Sequence, residues 1–257
     1  MKHRAARPLL AAIALAWGTP VLAADGGWNY RIVPYVWGAS IDGTLAHDRL
    51  PVDVHPSASF SDIWNNLDFA AMAAFEAQRD RHGVVAELVT LRLSGTARMP
   101  IPPLGASVPV ELDGDSTTVL LAYQYRMVDA AHAHLDLVAG ARYWSTRTGF
   151  AYALPAPPPP PVPQSYDASQ SRSWIDPQLG IKGRRDFAHS VYVGAWLLAG
   201  AGESDLTVDA MLMAGYRFND LVALTAGYRW MTTDFSSGGF TFDATLQGPG
   251  LGLEYAF

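Results

Sequence analysis

The stretch Leu206–Trp230 constrains the fold most, because its apolar residues recur with a period of two. From Val208 to Tyr216 every second residue is apolar, while the residues between them are mixed and include Asp209. Phe218-Asn219-Asp220 interrupts the pattern, which then resumes from Val222 to Trp230. Alternation on both sides of a short Asn-Asp turn is typical of an antiparallel hairpin. One face of this hairpin is apolar and ends in aromatic residues, so it is suited to lipid as well as to a protein core.

Similar alternation recurs along the chain and predicts an all-β protein. It marks ten strands, near 27–38, 67–79, 83–95, 112–127, 133–152, 170–185, 189–202, 205–217, 221–234 and 241–257. Short turns alternate with long loops at 39–66, 96–111 and 153–169, as in barrels with periplasmic turns and outer loops. We therefore expect an antiparallel, up-and-down transmembrane β-barrel of about ten strands, with eight or twelve as alternatives. Twelve would follow if 41–54 formed an extra pair.

The first residues indicate secretion. A basic start, the apolar run Leu9–Trp17 and the small-residue exit Val21-Leu22-Ala23 predict a cleaved signal peptide over 1–23, which leaves a barrel domain over 24–257. Loss of Lys2, Arg4 and Arg7 takes the formal net charge from −6 to −9, which argues against a nucleic-acid partner. The chain has no Cys, so disulfides and thiolate metal sites are excluded.

Two segments fall outside the strand pattern. Phe60, Ile63, Trp64 and Leu67 recur at helical spacing behind Ser59 and Ser61-Asp62, which predicts a short amphipathic helix in the first long loop. It would either pack on the barrel rim or act as a plug or interfacial element that controls access. The proline run within 153–163 predicts an extended polyproline segment in a solvent loop, as a stiff spacer or a recognition site.

The polar side of the strands supplies the candidate site. We predict that these residues line the lumen: Arg31, Glu76, Glu87, Asp136, Arg142, Trp144, Trp174, Asp176, Lys182, Asp209, Arg217, Arg229 and Glu254. They would form either interior ion pairs that fill a small barrel or a charged constriction that selects ions or solutes. A ten-stranded barrel is little wider than the eight-stranded size that side chains fill, so we expect a mostly occluded lumen.

Catalytic and metal sites have little support. The His residues fall mainly in predicted loops or turns, and none stands near a Ser or acid at a spacing that signals a nucleophile and base. His132-Ala133-His134 offers two metal ligands without a third. No phosphate-binding glycine motif is present. We expect neither enzymatic activity nor a cofactor or metal ion.

The chain resembles the small, mostly uncharacterised outer-membrane β-barrel proteins of Gram-negative bacteria. The resemblance rests on WNYRIVPYVWG at 28–38, FSDIWNNLDFAAMAAFEA at 60–77, AGARYW at 139–144, WIDPQLGIK at 174–182, AGYRFND at 214–220, AGYRW at 226–230 and the terminal LEYAF. It implies an outer-membrane location with lipid as a partner, and an assembly signal at Phe257 read by the barrel-assembly machinery. No activity comes with it.

Three classes of function remain open at this point. The first is a narrow passive channel for small ions or solutes, and the second is a structural or adhesive surface protein that acts through its long loops. An outer-membrane enzyme comes third. If a path exists through the lumen, replacing Arg142 and Arg229 with Ala should raise conductance and shift the ion preference toward cations.

Overall fold

The computed structural model describes residues 27–47, 57–100, 107–154, 158, 164–187 and 190–257. Its elements are β1 (Asn29–Trp37), β2 (Ser40–His47), β3 (Ser57–Ala58), α1 (Phe60–Asn65), β4 (Leu67–Arg79), β5 (His82–Pro100), β6 (Ser107–Ala130), β7 (Ala133–Ala153), β8 (Ser165–Asp186), β9 (Val191–Gly200), β10 (Leu206–Arg217), β11 (Val222–Ser237) and β12 (Phe240–Ala256). The predicted signal peptide and most of the proline run lie outside these residues. No helix among the described residues is long and apolar enough to cross a membrane.

Ten antiparallel strands form a closed ring, which confirms the predicted barrel. Each of β4 to β12 pairs with its neighbour in sequence, and β1 closes the ring by pairing with both β4 and β12. Ile32, for example, lies opposite Phe75 on one side and Tyr255 on the other. The ring has no free edge over the paired part, so backbone groups are satisfied between strands, as a lipid environment requires.

The region after β1 differs from the prediction, which made 39–66 a loop. β2 continues β1 in the same register along β12, since Trp37 lies opposite Gly250 and Ser40 opposite Gln247. The twelve-strand alternative needed an extra strand pair within 41–54; β2 overlaps that range, but its partner β3 lies after it, pairs only with β2 and stays outside the ring. β5, β6 and β8 likewise extend into the predicted loops 96–111 and 153–169.

Short turns define one end of the barrel, here called the turn end, where Phe257 also lies. In the turn between β10 and β11, the side chain of Asn219 accepts hydrogen bonds from the backbone N–H groups of Leu221 and Val222 at 2.9 and 2.8 Å. The Asn-Asp turn is therefore fixed by a local side-chain contact. Phe257 exchanges two backbone hydrogen bonds with Tyr30, at 2.9 and 3.0 Å, and its ring stacks on that tyrosine.

The outer surface is apolar around the middle of the barrel. Leu121, Leu179, Leu212 and Leu251 face outward on different strands and are 50–60% exposed. Exposed aromatic residues such as Phe218 follow at the turn end. A continuous apolar band bordered by aromatic residues is the surface that a membrane barrel presents to lipid.

α1 confirms the predicted short helix and lies on the outside of the barrel. Ser59 caps it, and hydrogen bonds from the Ser59 hydroxyl and backbone N–H, at 2.6 and 3.0 Å, lower the pKa of Asp62. Phe60 packs near Gly38, which faces outward between the buried Trp37 and Ala39. No residue of the helix is buried, so it is not a plug in the lumen.

Candidate functional site

The interior of the barrel is built from the alternate residues that face away from lipid. Every side chain predicted for the lumen lies on the inward side of its strand, and eight of them are at most 3% exposed: Glu87, Asp136, Arg142, Trp144, Trp174, Asp176, Asp209 and Arg229. Arg31 and Arg217 are more open, at 28% and 36% side-chain exposure, and both lie near the turn end. From the turn end inward, these residues form three layers.

The first layer is an ion network at the turn end. Glu76 pairs with Arg31 at 3.2 Å and with Lys182, and it accepts a hydrogen bond from Gln124 at 2.8 Å. Glu254 lies 3.4 Å from Arg31, and it accepts hydrogen bonds from Arg184 at 3.1 Å and from the Tyr192 hydroxyl at 2.8 Å. The strands β1, β4, β8, β9 and β12 are thereby linked across the lumen.

The second layer is a buried quadruplet of Glu87, Arg142, Asp209 and Arg229, here called the ion quadruplet. Arg229 donates to both carboxylates, at 2.7 and 2.8 Å to Glu87 and at 2.7 and 2.9 Å to Asp209. Arg142 lies 2.5 Å from Asp209 and 3.4 Å from Glu87. Two acids and two arginines give a formal net charge of zero. The attraction between these opposite charges therefore offsets the free-energy cost of removing them from water.

Neutral side chains add hydrogen bonds to the ion quadruplet. The Tyr35 hydroxyl donates to Glu87 at 2.8 Å and accepts from Arg229 at 3.0 Å, while the Trp196 indole donates to Asp209 at 3.2 Å. The Arg229 guanidinium also lies 5.0 Å from the ring centroids of both Trp37 and Trp196. The quadruplet therefore fills the cross-section between β5, β7, β10 and β11.

The third layer is aromatic and lies toward the loop end. Trp144 and Trp174 are neighbours on β7 and β8, with nearly parallel rings 5.7 Å apart. Phe235 stacks on Trp174 at 4.3 Å, and Phe242 contacts both tryptophans. These residues form the main apolar cluster of the interior. Sequence reasoning named Trp144 and Trp174 as lumen-lining residues together with the charged ones, and the structure groups them in a separate apolar layer.

Two acids lie apart from the ion quadruplet. Asp176 has no cation partner among the described residues; it accepts from the Ser204 backbone N–H at 2.9 Å and from the Thr207 hydroxyl at 3.0 Å, which ties the β9–β10 loop to the wall. Asp136 pairs with Arg126 at 3.0 Å. His134, predicted to be a solvated turn histidine, is only 15% exposed at its side chain and lies 3.8 Å from Asp136.

A cavity of about 130 Å³ separates the ion network from the ion quadruplet. Its lining includes Arg31, Glu76 and Lys182 on one side and Tyr35 and Arg229 on the other. That volume is large enough for several water molecules, since about 10–15 Å³ suffices to admit one. Among the described residues, the ion quadruplet and the aromatic layer lie between this cavity and the loop end. No group of three metal-ligating side chains occurs among the described residues.

Sequence reasoning missed Tyr192 and Trp196, which bind Glu254 and Asp209. Both lie on β9, where the residues on both faces are apolar or small. Alternation alone therefore did not show which residues of this strand face the lumen and which face lipid. The glycines give a partial signal. The Tyr192 ring occupies the space where Gly215 has no side chain, and the Met213 side chain packs over Gly194. Inward glycines thus mark the places where a large neighbour turns into the lumen.

Comparison with known proteins supports the fold alone. The sequence matches no protein-family model, and a search of curated proteins finds no match. The outer membrane protease OmpT from Escherichia coli is 10% identical, with 93% of this chain and 100% of that chain covered and a TM-score of 0.56. Ail of Yersinia pestis is 12% identical, with 90% of this chain and 99% of that chain covered and a TM-score of 0.38. The translocator domain of NalP from Neisseria meningitidis is 11% identical, with 90% of this chain and 89% of that chain covered and a TM-score of 0.41.

Of these three structures, OmpT alone is similar enough to support an argument about the fold. At 10% identity it shows that the chain has the fold of outer-membrane β-barrels. The protease activity named for the Escherichia coli protein does not follow for this chain.

Proposed function

We propose that this protein is an integral outer-membrane barrel whose lumen is closed at rest, and that it acts through its extracellular surface as a structural or adhesive protein. The observation that carries this proposal is the ion quadruplet, whose four side chains are buried and join strands on opposite sides of the lumen. A passive channel needs a hydrated path, and a layer of paired, buried side chains across the lumen opposes one.

Opening the ion quadruplet would be unfavourable. Arg229 would have to leave both Glu87 and Asp209, and breaking a buried ion pair costs about 3–5 kcal/mol. Each 1.4 kcal/mol lowers the population of the open state tenfold. The fraction of molecules with an open ion quadruplet would therefore be roughly 10⁻² to 10⁻⁴. The aromatic layer adds a second barrier. A resting barrel would therefore conduct too rarely to serve as a passive pore.

The extracellular surface is large and uneven. β8 pairs with β9 only from Gln178 to Asp186, so its part from Ser165 to Trp174 rises above β9, by roughly 30 Å of strand at 3.3 Å per residue. β5, β6 and β7 rise with it. The outer face of this wall is polar, as the exposed ion pair of Arg92 and Asp115 at 2.8 Å illustrates. Such a wall supports contact with other molecules outside the membrane.

Planar-bilayer recording of the purified, folded barrel tests this proposal. We expect no stepwise conductance, while an open porin reconstituted in the same way gives steps. Regular steps from the unmodified protein would refute the closed lumen. A narrow channel is the second candidate, favoured by the charge-lined cavity beneath the ion quadruplet. In that case small conductance steps would appear and would change when Arg229 is replaced. An enzymatic role has no supporting observation among the described residues.

A further inference from the structure

The lipid-facing surface carries a groove close to the turn end, over the ladder between β8 and β9. It has a volume of about 390 Å³, and its lining includes Leu135, Ile181, Val193 and Leu197. Ile181 and Leu197 are 43% and 49% exposed. Gly183 forms the floor, because it has no side chain while its neighbours in register are Leu135 and Ala195. The groove is therefore an apolar depression in the outer face of the barrel.

A lone cation stands at the end of this groove. Arg185 lies next to Val193 in register, one residue before the end of β8, and its side chain is exposed. It makes no ion pair with any carboxylate of the described residues, in contrast to the inward Arg184, which pairs with Asp186 and Glu254. Its guanidinium lies 5.4 Å from the ring centroid of Phe187, which is 49% exposed. Arginine and aromatic residues at this level are typical of the headgroup region.

We propose that this groove binds one phospholipid of the periplasmic leaflet. The phosphate would lie at Arg185, since a guanidinium matches phosphate in charge and in geometry. An acyl chain would lie over Gly183 between Ile181 and Leu197. The occupant is a phospholipid of that leaflet, because short turns of such barrels face the periplasm. The site is independent of whether the lumen conducts.

Titration with phosphatidylglycerol, followed by native mass spectrometry of the folded barrel in detergent, tests the site. Arg185→Gln removes the cation, and Ala195→Phe fills the groove from an outward, exposed position that leaves the interior unchanged. Arg79→Gln is the matched control, since Arg79 is an exposed cation at the same end on β4, outside the groove. Heat-dependent gel mobility verifies that each variant is folded.

We expect one tight phosphatidylglycerol adduct on the unmodified protein. Arg185→Gln should weaken it about fivefold, the effect of roughly 1 kcal/mol for one cation near a lipid surface. Ala195→Phe should weaken it at least as much, and Arg79→Gln should leave it unchanged. Equal binding by all variants, or equal weakening by Arg79→Gln, would overturn the proposal. Loss with Ala195→Phe alone would overturn phosphate recognition, and tighter binding of lipid A than of phosphatidylglycerol would overturn the choice of leaflet.

Discussion

Removing Arg229 should destabilise the barrel far more than removing its ion pair with Glu87 as a unit. Arg229→Ala takes away four hydrogen bonds to carboxylates and leaves Glu87 and Asp209 to share Arg142 alone, so the buried ion quadruplet becomes formally −1. Leaving a buried charge uncompensated costs about 3–5 kcal/mol, whereas replacing a buried pair by apolar residues of similar size is often neutral or stabilising.

The comparison variant combines Arg229→Met with Glu87→Leu and Tyr35→Phe. The third change removes a hydroxyl whose partners in the ion quadruplet have gone, because a buried unpaired hydroxyl would itself cost about 1–3 kcal/mol. Arg142 and Asp209 remain paired at 2.5 Å, so the layer stays neutral.

Reversible urea unfolding in lipid vesicles measures the free energy of unfolding of the three proteins. We expect Arg229→Ala to lower it by about 3–5 kcal/mol and the triple variant to lie within about 1.5 kcal/mol of the unmodified protein. Equal losses in both variants would show that packing, not charge balance, governs this layer. A loss below about 1 kcal/mol for Arg229→Ala would show that its carboxylate partners are hydrated.

Two further outcomes follow from the same contacts. Deletion of Phe257 should lower the yield of heat-modifiable barrel in the outer-membrane fraction, because it removes the stacking on Tyr30 and both backbone hydrogen bonds. An unchanged yield and assembly rate would contradict an assembly role for Phe257. Replacing Arg142 and Arg229 together with Ala should leave the bilayer conductance near zero, since the aromatic layer remains, and adding Trp174→Ala should produce small steps that favour cations, because Glu87 and Asp209 stay in the lumen. Anion-preferring steps would show that these carboxylates do not line the path.

The sequence predicted the ring of strands and the facing of their residues well, and the reason is physical. Within the apolar band each strand has lipid on one side and lumen on the other, so residues such as Leu212 and Asp209 must alternate. The same rule fails where a strand leaves the band. Ser40, Asp42 and Thr44 alternate with Ile41 and Leu45 on β2, but they put polar residues on the outer side where the rule expects apolar ones, so the segment was predicted as loop. A bulge between Arg126 and Val128 likewise turns two consecutive residues outward, which a strict period of two does not allow.

Partners across the lumen could not be predicted in the same way. Arg142 and Asp209 are 67 residues apart, and Glu87 and Arg229 are 142 apart, so their meeting depends on the stagger of strands around the closed ring. Alternation gives the side of the sheet on which a residue lies but not its height in the barrel. The prediction therefore named the right inward charges as a set, without separating the ion network from the ion quadruplet, and it could not place the tryptophans in a layer of their own.

The order of the layers bears on how the closed lumen would persist in the membrane. The ion network lies at the turn end, where Arg31 and Arg217 are partly exposed and water can solvate them. The ion quadruplet lies deeper, where exposure falls to 3% or less and an unpaired charge would be costly. The aromatic layer then separates these charges from the loop end. A chain selected to conduct would gain nothing from two arginines that neutralise two acids in the same cross-section, because such a layer both blocks the path and cancels its field. The arrangement instead gives the barrel a fixed interior that joins opposite walls, which agrees with the proposal that the barrel holds the tall strands β5 to β8 in one position.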